Sequence, residues 1–437
     1  MAAGEVSRQD QACGLTPAAA VAAADAFVGT IGTYPEGRYA GRGVVVCGGG
    51  FRYGPCAWVL VRLLRHLGCT LPVEVWHLGG AERNAEWERL LAEHGAGCVD
   101  ATSFLPRHPH PDPGGWALKP YAVLHSRFRE VLLLDADNVP VLDPSYLFDS
   151  PEYQETGAVF WPDVGRAGPD SPYWRVFGVG PRDEPEQESG QVLVDKRRCW
   201  RALGLCDWYN RNRAFYYRYV YGDKDTFRLA WHRLGAAYAM PPRGIEFIPH
   251  TLCQHDFAGR RVFQHRVGDK WSLAAGGSGN RRVPGFAHED LCLSFLAELR
   301  EQCPPVTWLA PHLGAADRAA MAGAAGRPLR LVRPGHGAWP AQLAADGSLA
   351  AGASDDLCFW WADPPQPPSS TPADDGDAGA DDGDAAASVT RRPLVVAGRD
   401  GRVTARLDPR PGRGGGWAGD SLRHPGMRVE LHPAGPA

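Results

Sequence analysis

Along the first two thirds of the chain, short continuous apolar runs alternate with longer stretches of helical spacing. Arg42-Gly43-Val44-Val45-Val46-Cys47, Val73-Glu74-Val75-Trp76-His77-Leu78 and Glu130-Val131-Leu132-Leu133-Leu134-Asp135 are too short for helices. They predict strands, the first and last of them buried on both faces. Between them, residues 58–67, followed by Gly68, and 82–94, followed by Gly95, have the spacing and the C-terminal glycine of helices. Lys119-Pro120-Tyr121 predicts the opening of another helix that runs to Phe128, with proline in its first turn. This alternation predicts an α/β domain around a right-handed, largely parallel sheet. Further strands are expected at 157–161, 191–195 and 261–265, and a helix at 227–234.

After Cys303-Pro304-Pro305 the pattern changes. Apolar segments at 329–332, 358–361, 394–396, 403–407 and 427–431 are short, and Asp346-Gly347 and Asp400-Gly401 are turn signals. A small antiparallel β domain is the expectation. Residues 364–390, rich in Pro, Ser, Ala, Gly and Asp, hold too little apolar surface to order themselves, so disorder is expected there. The acidic run has no bidentate glutamate or loop spacing of the EF-hand kind. The expected organisation is a weakly structured extension over 1–40, an α/β domain over 41–303, a connector over 304–328 and the β domain over 329–437.

A length of 437 residues accommodates two domains, and 44% apolar with 22% charged residues is ordinary for globular proteins. A net charge of -4 gives no reason to expect nucleic acid or an acidic membrane as partner. The first 28 residues lack a basic stretch followed by an apolar one, and no window approaches 18 uninterrupted apolar residues. Neither a signal peptide nor a membrane span is therefore expected. Eleven cysteines are scattered without a Cys-x-x-Cys pair, which reads as reduced thiols in a cytoplasmic protein.

The chemistry gathers where the predicted strands end. Asp135 and Asp137 leave the strand 130–135 separated by one small residue, Ala136, so two hard oxygen ligands converge at a sheet's C-terminal mouth. Gly48-Gly49-Gly50 follows the first strand and lets backbone approach a nucleotide, or forms a plain loop; it is neither a Walker loop nor a Rossmann fingerprint. Lys119 points either to the same mouth or to solvent. The prolines around His108 and His110 favour a surface loop over a metal site. Glu188-Ser189-Gly190-Gln191 opens a strand with small and polar side chains. Asp223-Lys224-Asp225 either caps the helix that follows or faces a ligand. His265 can be a third metal ligand, and Lys270 can neutralise phosphate.

Taken in order, these stretches resemble the fungal α-mannosyltransferases that extend outer N-glycan and mannan chains. The likeness runs from about Gly41 to about Leu299. It is carried by Leu71-Pro72-Val73-Glu74-Val75-Trp76-His77, Gly115-Trp116-Ala117-Leu118-Lys119-Pro120-Tyr121, the segment from Arg127 to Pro140, Glu188-Ser189-Gly190-Gln191, Gly222-Asp223-Lys224-Asp225-Thr226-Phe227 and Phe263-Gln264-His265-Arg266. The resemblance implies a GT-A fold, a GDP-mannose donor, Mn²⁺ or Mg²⁺, a glycan acceptor and retention of anomeric configuration. It implies that Asp135, Asp137 and His265 hold the metal. Cys47, Gly48, Gly49, Tyr53, Lys119, Asp135, Ala136 and Lys270 would line the donor. The stretch from His265 to Trp271 is one residue shorter than the His-x-x-Gly-x-x-Lys-Pro-Trp element of retaining GT-A enzymes and lacks its proline. Asp223-Lys224-Asp225 looks like the Asp-Gln-Asp element beside the transferred sugar, so Asp223, Lys224, Asp225, Glu188 and Gln191 form the expected catalytic set. No counterpart of the fungal Golgi anchor is expected, as suits a soluble, bacterial-like relative. Two other readings stand beside this one: a sugar nucleotidyltransferase, and an inactive protein that binds nucleotide sugar or glycan.

Overall fold

The apolar runs occupy the middle of a six-stranded sheet. The strands are β1 (Arg42–Cys47), β2 (Val73–His77), β3 (Ala96–Asp100), β4 (Glu130–Asp135), then, after the short β5 (Asn138–Pro140), β6 (Ala158–Arg166) and β7 (Pro185–Asp195), in the order β3-β2-β1-β4-β7-β6. This computed structural model describes residues 16–274, 280–326, 328–334, 337–351, 357–363, 392–410, 416–425 and 427–433. The segment 364–390, expected to be disordered, lies outside them. Two compact units divide the chain, one of Met1–Lys270 with Arg282–Phe295, the other of Trp271–Arg281 with Leu296–Ala437.

In the first unit, Val44, Val45 and Val46 on β1 and Leu132, Leu133 and Leu134 on β4 are fully buried, because helices cover both faces of the sheet. β3, β2, β1 and β4 run parallel, whereas β7 is antiparallel to β4 and to β6. The expectation of a largely parallel sheet thus holds, with β7 alone running against the other five strands. Because β7 lies between β4 and β6, antiparallel pairing takes over at that edge. A second sheet, of β5, β8 (Glu246–Ile248), β9 (Thr251–His255) and β10 (Arg261–His265), has the order β5-β10-β9-β8 and is antiparallel throughout. The pairing of β1 with β4 and of β5 with β10 places the ends of β1, β4 and β10 around one site.

Three local differences have physical causes. The helix expected from 58 spans Gly50–His66, starting at the glycine triplet. β3 was not anticipated, since its one glycine and part-exposed residues give an edge strand without periodicity. The extension expected to be weakly structured carries a helix at Pro17–Thr30 whose N-terminus Thr16 caps by accepting from the Ala19 amide at 3.2 Å. Ala20 and Ala24 are buried, and Phe27 stacks on Trp208 at 5.5 Å.

In the second unit, the segment expected to be a connector holds helices at Pro305–Leu309 and Ala315–Ala324. The β domain is an eight-stranded antiparallel sheet of β11 (Pro328–Arg333), β12 (Gly337–Leu343), β13 (Leu349–Ala351), β14 (Phe359–Ala362), β15 (Leu394–Ala397), β16 (Val403–Pro409), β17 (Trp417–Asp420) and β18 (Arg428–Pro433). β17 escaped sequence reading because of Gly419, where a Cβ would lie 1.9 Å from the Arg406 carbonyl oxygen; close strand approach demands the glycine. No disulfide joins the described cysteines. No helix of the described residues is long and apolar enough to cross a membrane.

Candidate active site at the end of β4

Asp135 ends β4, Ala136 and Asp137 make the turn, and Asn138 opens β5, whose pairing with β10 sets Asn138 opposite His265. That register brings His265 to the two acids. Its Nε2 lies 3.3 Å from Asp137 Oδ1 and 3.8 Å from Asp135 Oδ2. One ligand atom from each of the three residues lies within 4.8 Å of the others. On the far side of the ring, His265 Nδ1 is 3.1 Å from Glu188 Oε1. Glu188 itself accepts from the Gly190 amide and the Gln191 side chain, both at 2.7 Å. A carboxylate that takes Nδ1–H leaves the Nε2 lone pair facing the acids, as in metal-binding histidines. Burial alone would discharge His265, but Glu188 and Asp135 raise its pKa. Two carboxylate oxygens and an oriented imidazole are a donor set that suits a divalent cation.

Lys119 is buried, contrary to the solvent alternative. Its Nζ reaches Asp135 Oδ1 at 3.0 Å, Asp223 Oδ2 at 3.3 Å and Ser189 Oγ at 3.0 Å. Burial opposes its charge, and the carboxylates of Asp135 and Asp223 more than offset that and raise its pKa. Asp223 is 2% exposed, and burial pushes its carboxyl up to about 6 although Lys119 pulls the other way. Lys270 is ion-paired with Asp137, and its ammonium also lies 5.8 Å from the centroid of the Tyr53 ring.

The glycine turn closes the other flank. Cys47 pairs in register with Asp135 across β1 and β4, and burial raises its thiol pKa, so it stays neutral. A Cβ on Gly48 would lie 2.8 Å from the Ala57 Cβ and 3.1 Å from that of Ala136; on Gly49 it would lie 2.2 Å from the His77 Cβ. Backbone here fits only without side chains, and Gly49 leads straight into the helix Gly50–His66 with no side-chain cap. Tyr53, 36% exposed, stands in the first turn of that helix, beside the glycines. Gly49→Ala is expected to cost about 1–3 kcal/mol by overpacking, read as a lower midpoint in denaturant, and to weaken binding of a nucleoside diphosphate several-fold by calorimetry.

Not every expected residue reaches the centre. Asp225, two positions past Asp223 and so on the opposite side of its helix, accepts from the Gln187 amide at 3.2 Å and from Arg228 at 3.0 Å. Lys224 turns to Asp163 at 2.5 Å and Glu186 at 3.0 Å. Gln191 is fully buried, with its amide engaged by Glu188 and Asn138. Of the expected catalytic set, only Glu188 and Asp223 join the cluster, Glu188 directly at His265 and Asp223 through Lys119, which also holds Asp135. Lys119, left between the mouth and solvent by its residues alone and set at the donor by the resemblance, holds the two acids and Ser189, a residue to which the sequence gives no role.

Behind Asp225, the fully buried Arg228 also binds Glu184 at 2.7 Å. Burial alone would raise the Glu184 carboxyl, but hydrogen bonds from His232, Tyr238 and Arg228 hold it down to about 2. A depressed carboxyl stabilises the fold above its unfolded value and loses that contribution as pH falls toward 2. Glu184→Gln should therefore melt lower than the parent at pH 6, with the gap closing as the pH drops below about 4.

Comparison with known proteins bears on the family of the chain. A family model described as "Mannosyltransferase putative" matches residues 41–178 and 167–258. The α-1,2-mannosyltransferase MNN2 of Saccharomyces cerevisiae is 28% identical over 279 residues, covering 51% of this chain and 47% of its own length. MNN24 of Candida albicans is 28% identical over 239 residues, covering 45% and 34%. The chain thus spans less than half the length of these curated relatives. Among solved structures, the galactosyltransferase LgtC with donor and acceptor sugar analogs is 17% identical, with a TM-score of 0.33 over 45% of this chain and 73% of its own. Glucosyl-3-phosphoglycerate synthase of Mycobacterium tuberculosis, solved with Mn²⁺, uridine diphosphate and phosphoglyceric acid, is 13% identical, with a TM-score of 0.27 over 58% and 94%. On the family match and these curated relatives, the chain belongs to the fungal-type mannosyltransferase family.

Proposed function

We propose that this protein transfers a mannosyl residue from GDP-mannose to a sugar hydroxyl of a glycan or glycoconjugate, with retention of configuration and with Mn²⁺ or Mg²⁺ held by Asp135, Asp137 and His265. The observation that carries this reading is the convergence of the three donors at the end of β4, with His265 oriented by Glu188. As the bond between the anomeric carbon and the phosphate breaks, negative charge grows on the diphosphate and positive charge on the sugar ring. A divalent cation, when bound, supplies positive charge against the diphosphate.

The remaining work falls to the chain. Lys270 exchanges Asp137 for a phosphate oxygen, an exchange its long, part-exposed side chain permits. The backbone at Gly48 and Gly49 and the Tyr53 ring hold the nucleotide. Lys119 keeps Asp135 and Asp223 apart at a fixed spacing, so that Asp223 stands next to the cation site, where the developing oxocarbenium charge needs a carboxylate.

Incubating the protein with GDP-mannose and Mn²⁺ tests the reading. GDP release that a sugar acceptor accelerates, and that a chelator abolishes, is expected. Added pyrophosphate that converts GDP-mannose to GTP and mannose 1-phosphate, without GDP release, would replace the reading with a nucleotidyltransferase; absence of turnover with any donor would replace it with a binding protein.

A further inference from the structure

Tryptophan in this chain is mainly a core residue: Trp58, Trp76, Trp87, Trp161 and Trp231 in the first unit are buried to within 1%. Trp116 and Tyr221 are exceptions, 49% and 75% exposed. Their ring centroids lie 5.3 Å apart with planes inclined at 49°. Exposed aromatic pairs are costly to leave in water, and they mark binding surfaces.

Their place in the chain ties them to the site. Trp116 sits in the single 3₁₀ turn Gly115–Ala117 that leads into the helix of Lys119, and Tyr221 precedes Gly222 and Asp223. The indole rests directly on Gly222: a Cβ there would lie 2.7 Å from the indole Cε3, and φ at Gly222 is +70°. Arg213 staples the approach to this turn by binding the Gly114 carbonyl and Asp112. The platform is therefore braced on backbone before any ligand arrives, which lowers the cost of ordering on binding. It joins the centre through Lys119, Asp223 and Ser189, whereas the glycine turn and Tyr53 belong to β1 and its helix.

We infer that Trp116 and Tyr221 form the acceptor subsite, on which the apolar C–H face of an acceptor pyranose ring stacks with one hydroxyl turned toward Asp223. This rests on the glycosyltransferase reading above. Two inclined aromatic faces present a shallow V, suited to a saturated ring with an apolar face and polar edges.

The test uses the full chain and an α-linked mannotriose as probe. Its binding is measured calorimetrically without donor, and initial rates are measured with GDP-mannose and Mn²⁺. Trp116→Ala and Tyr221→Ala are each expected to weaken mannotriose binding and raise its KM by roughly three- to tenfold, about the contribution of one aromatic contact. The KM for GDP-mannose should move less than twofold, and Trp116→Phe should recover most of the loss. Tyr221 is so exposed that its alanine variant leaves the fold intact should Trp116→Ala not. Unaltered mannotriose binding in Tyr221→Ala, or a rise in the donor KM instead, would overturn the inference. The binding arm keeps its meaning if no turnover is found: mannotriose binding that both variants lose upholds the subsite even where the transferase reading fails.

Discussion

Asp137→Asn is expected to lower turnover by a factor on the order of 10³, or about 4 kcal/mol of transition-state stabilisation. The side chain is 3% exposed and faces both His265 and Lys270. Asparagine keeps its size but removes the charge that makes a hard-cation ligand. Affinity for Mn²⁺, followed by the loss of the free-ion paramagnetic signal, should fall in parallel, while the thermal midpoint changes by only a few degrees. Asp135→Asn should be at least as severe, since Asp135 also holds Lys119 at 3.0 Å. Near-native turnover of Asp137→Asn at saturating Mn²⁺ would remove the metal assignment, and with it the proposed function.

How far the sequence foretold this site depends on the distance over which each feature is determined. β1, β2 and β4 were legible because burial on both faces writes itself as a continuous apolar run. Asp135 and Asp137 followed from strand alternation and a short turn. Selecting His265 as their partner needed the register of β10 against β5, a pairing between residues more than a hundred positions apart. Local pattern does not encode such a register; the chemistry of the side chain made His265 a candidate ligand, and the resemblance joined it to the acids. The misplacement of Lys224 and Asp225 has the same root. An acidic pair spaced by one residue converges on a strand but diverges on a helix, and Lys224 is the first residue of a helix here. Trp116 and Tyr221 were invisible because a tryptophan gives no local sign of whether it will be buried.

That divergence makes the second large effect a contrast between neighbours. Arg228→Met is expected to destabilise the fold by about 3–5 kcal/mol, because Asp225, 2% exposed, would lose its nearer, hydrogen-bonded cation and keep only Lys224 at 3.9 Å. Asp225→Asn should lower the denaturation midpoint as well, yet retain most turnover per folded molecule, as its contacts run to Arg228 and Gln187 and away from Lys119. Asp223→Asn should do the reverse. Burial raises its carboxyl to about 6, so its ionised form weighs against the fold fully above that pH and not at all below its unfolded value near 4. Removing the charge should leave the melting temperature unchanged or raised at pH 7.5, with the difference vanishing toward pH 4, while turnover drops by on the order of 10² or more. Melting curves and initial rates on the three variants decide the matter together. If Asp225→Asn abolished turnover in a fully folded protein while Asp223→Asn spared it, the two acids would have to exchange roles, and the geometry around Lys119 would no longer describe the working site.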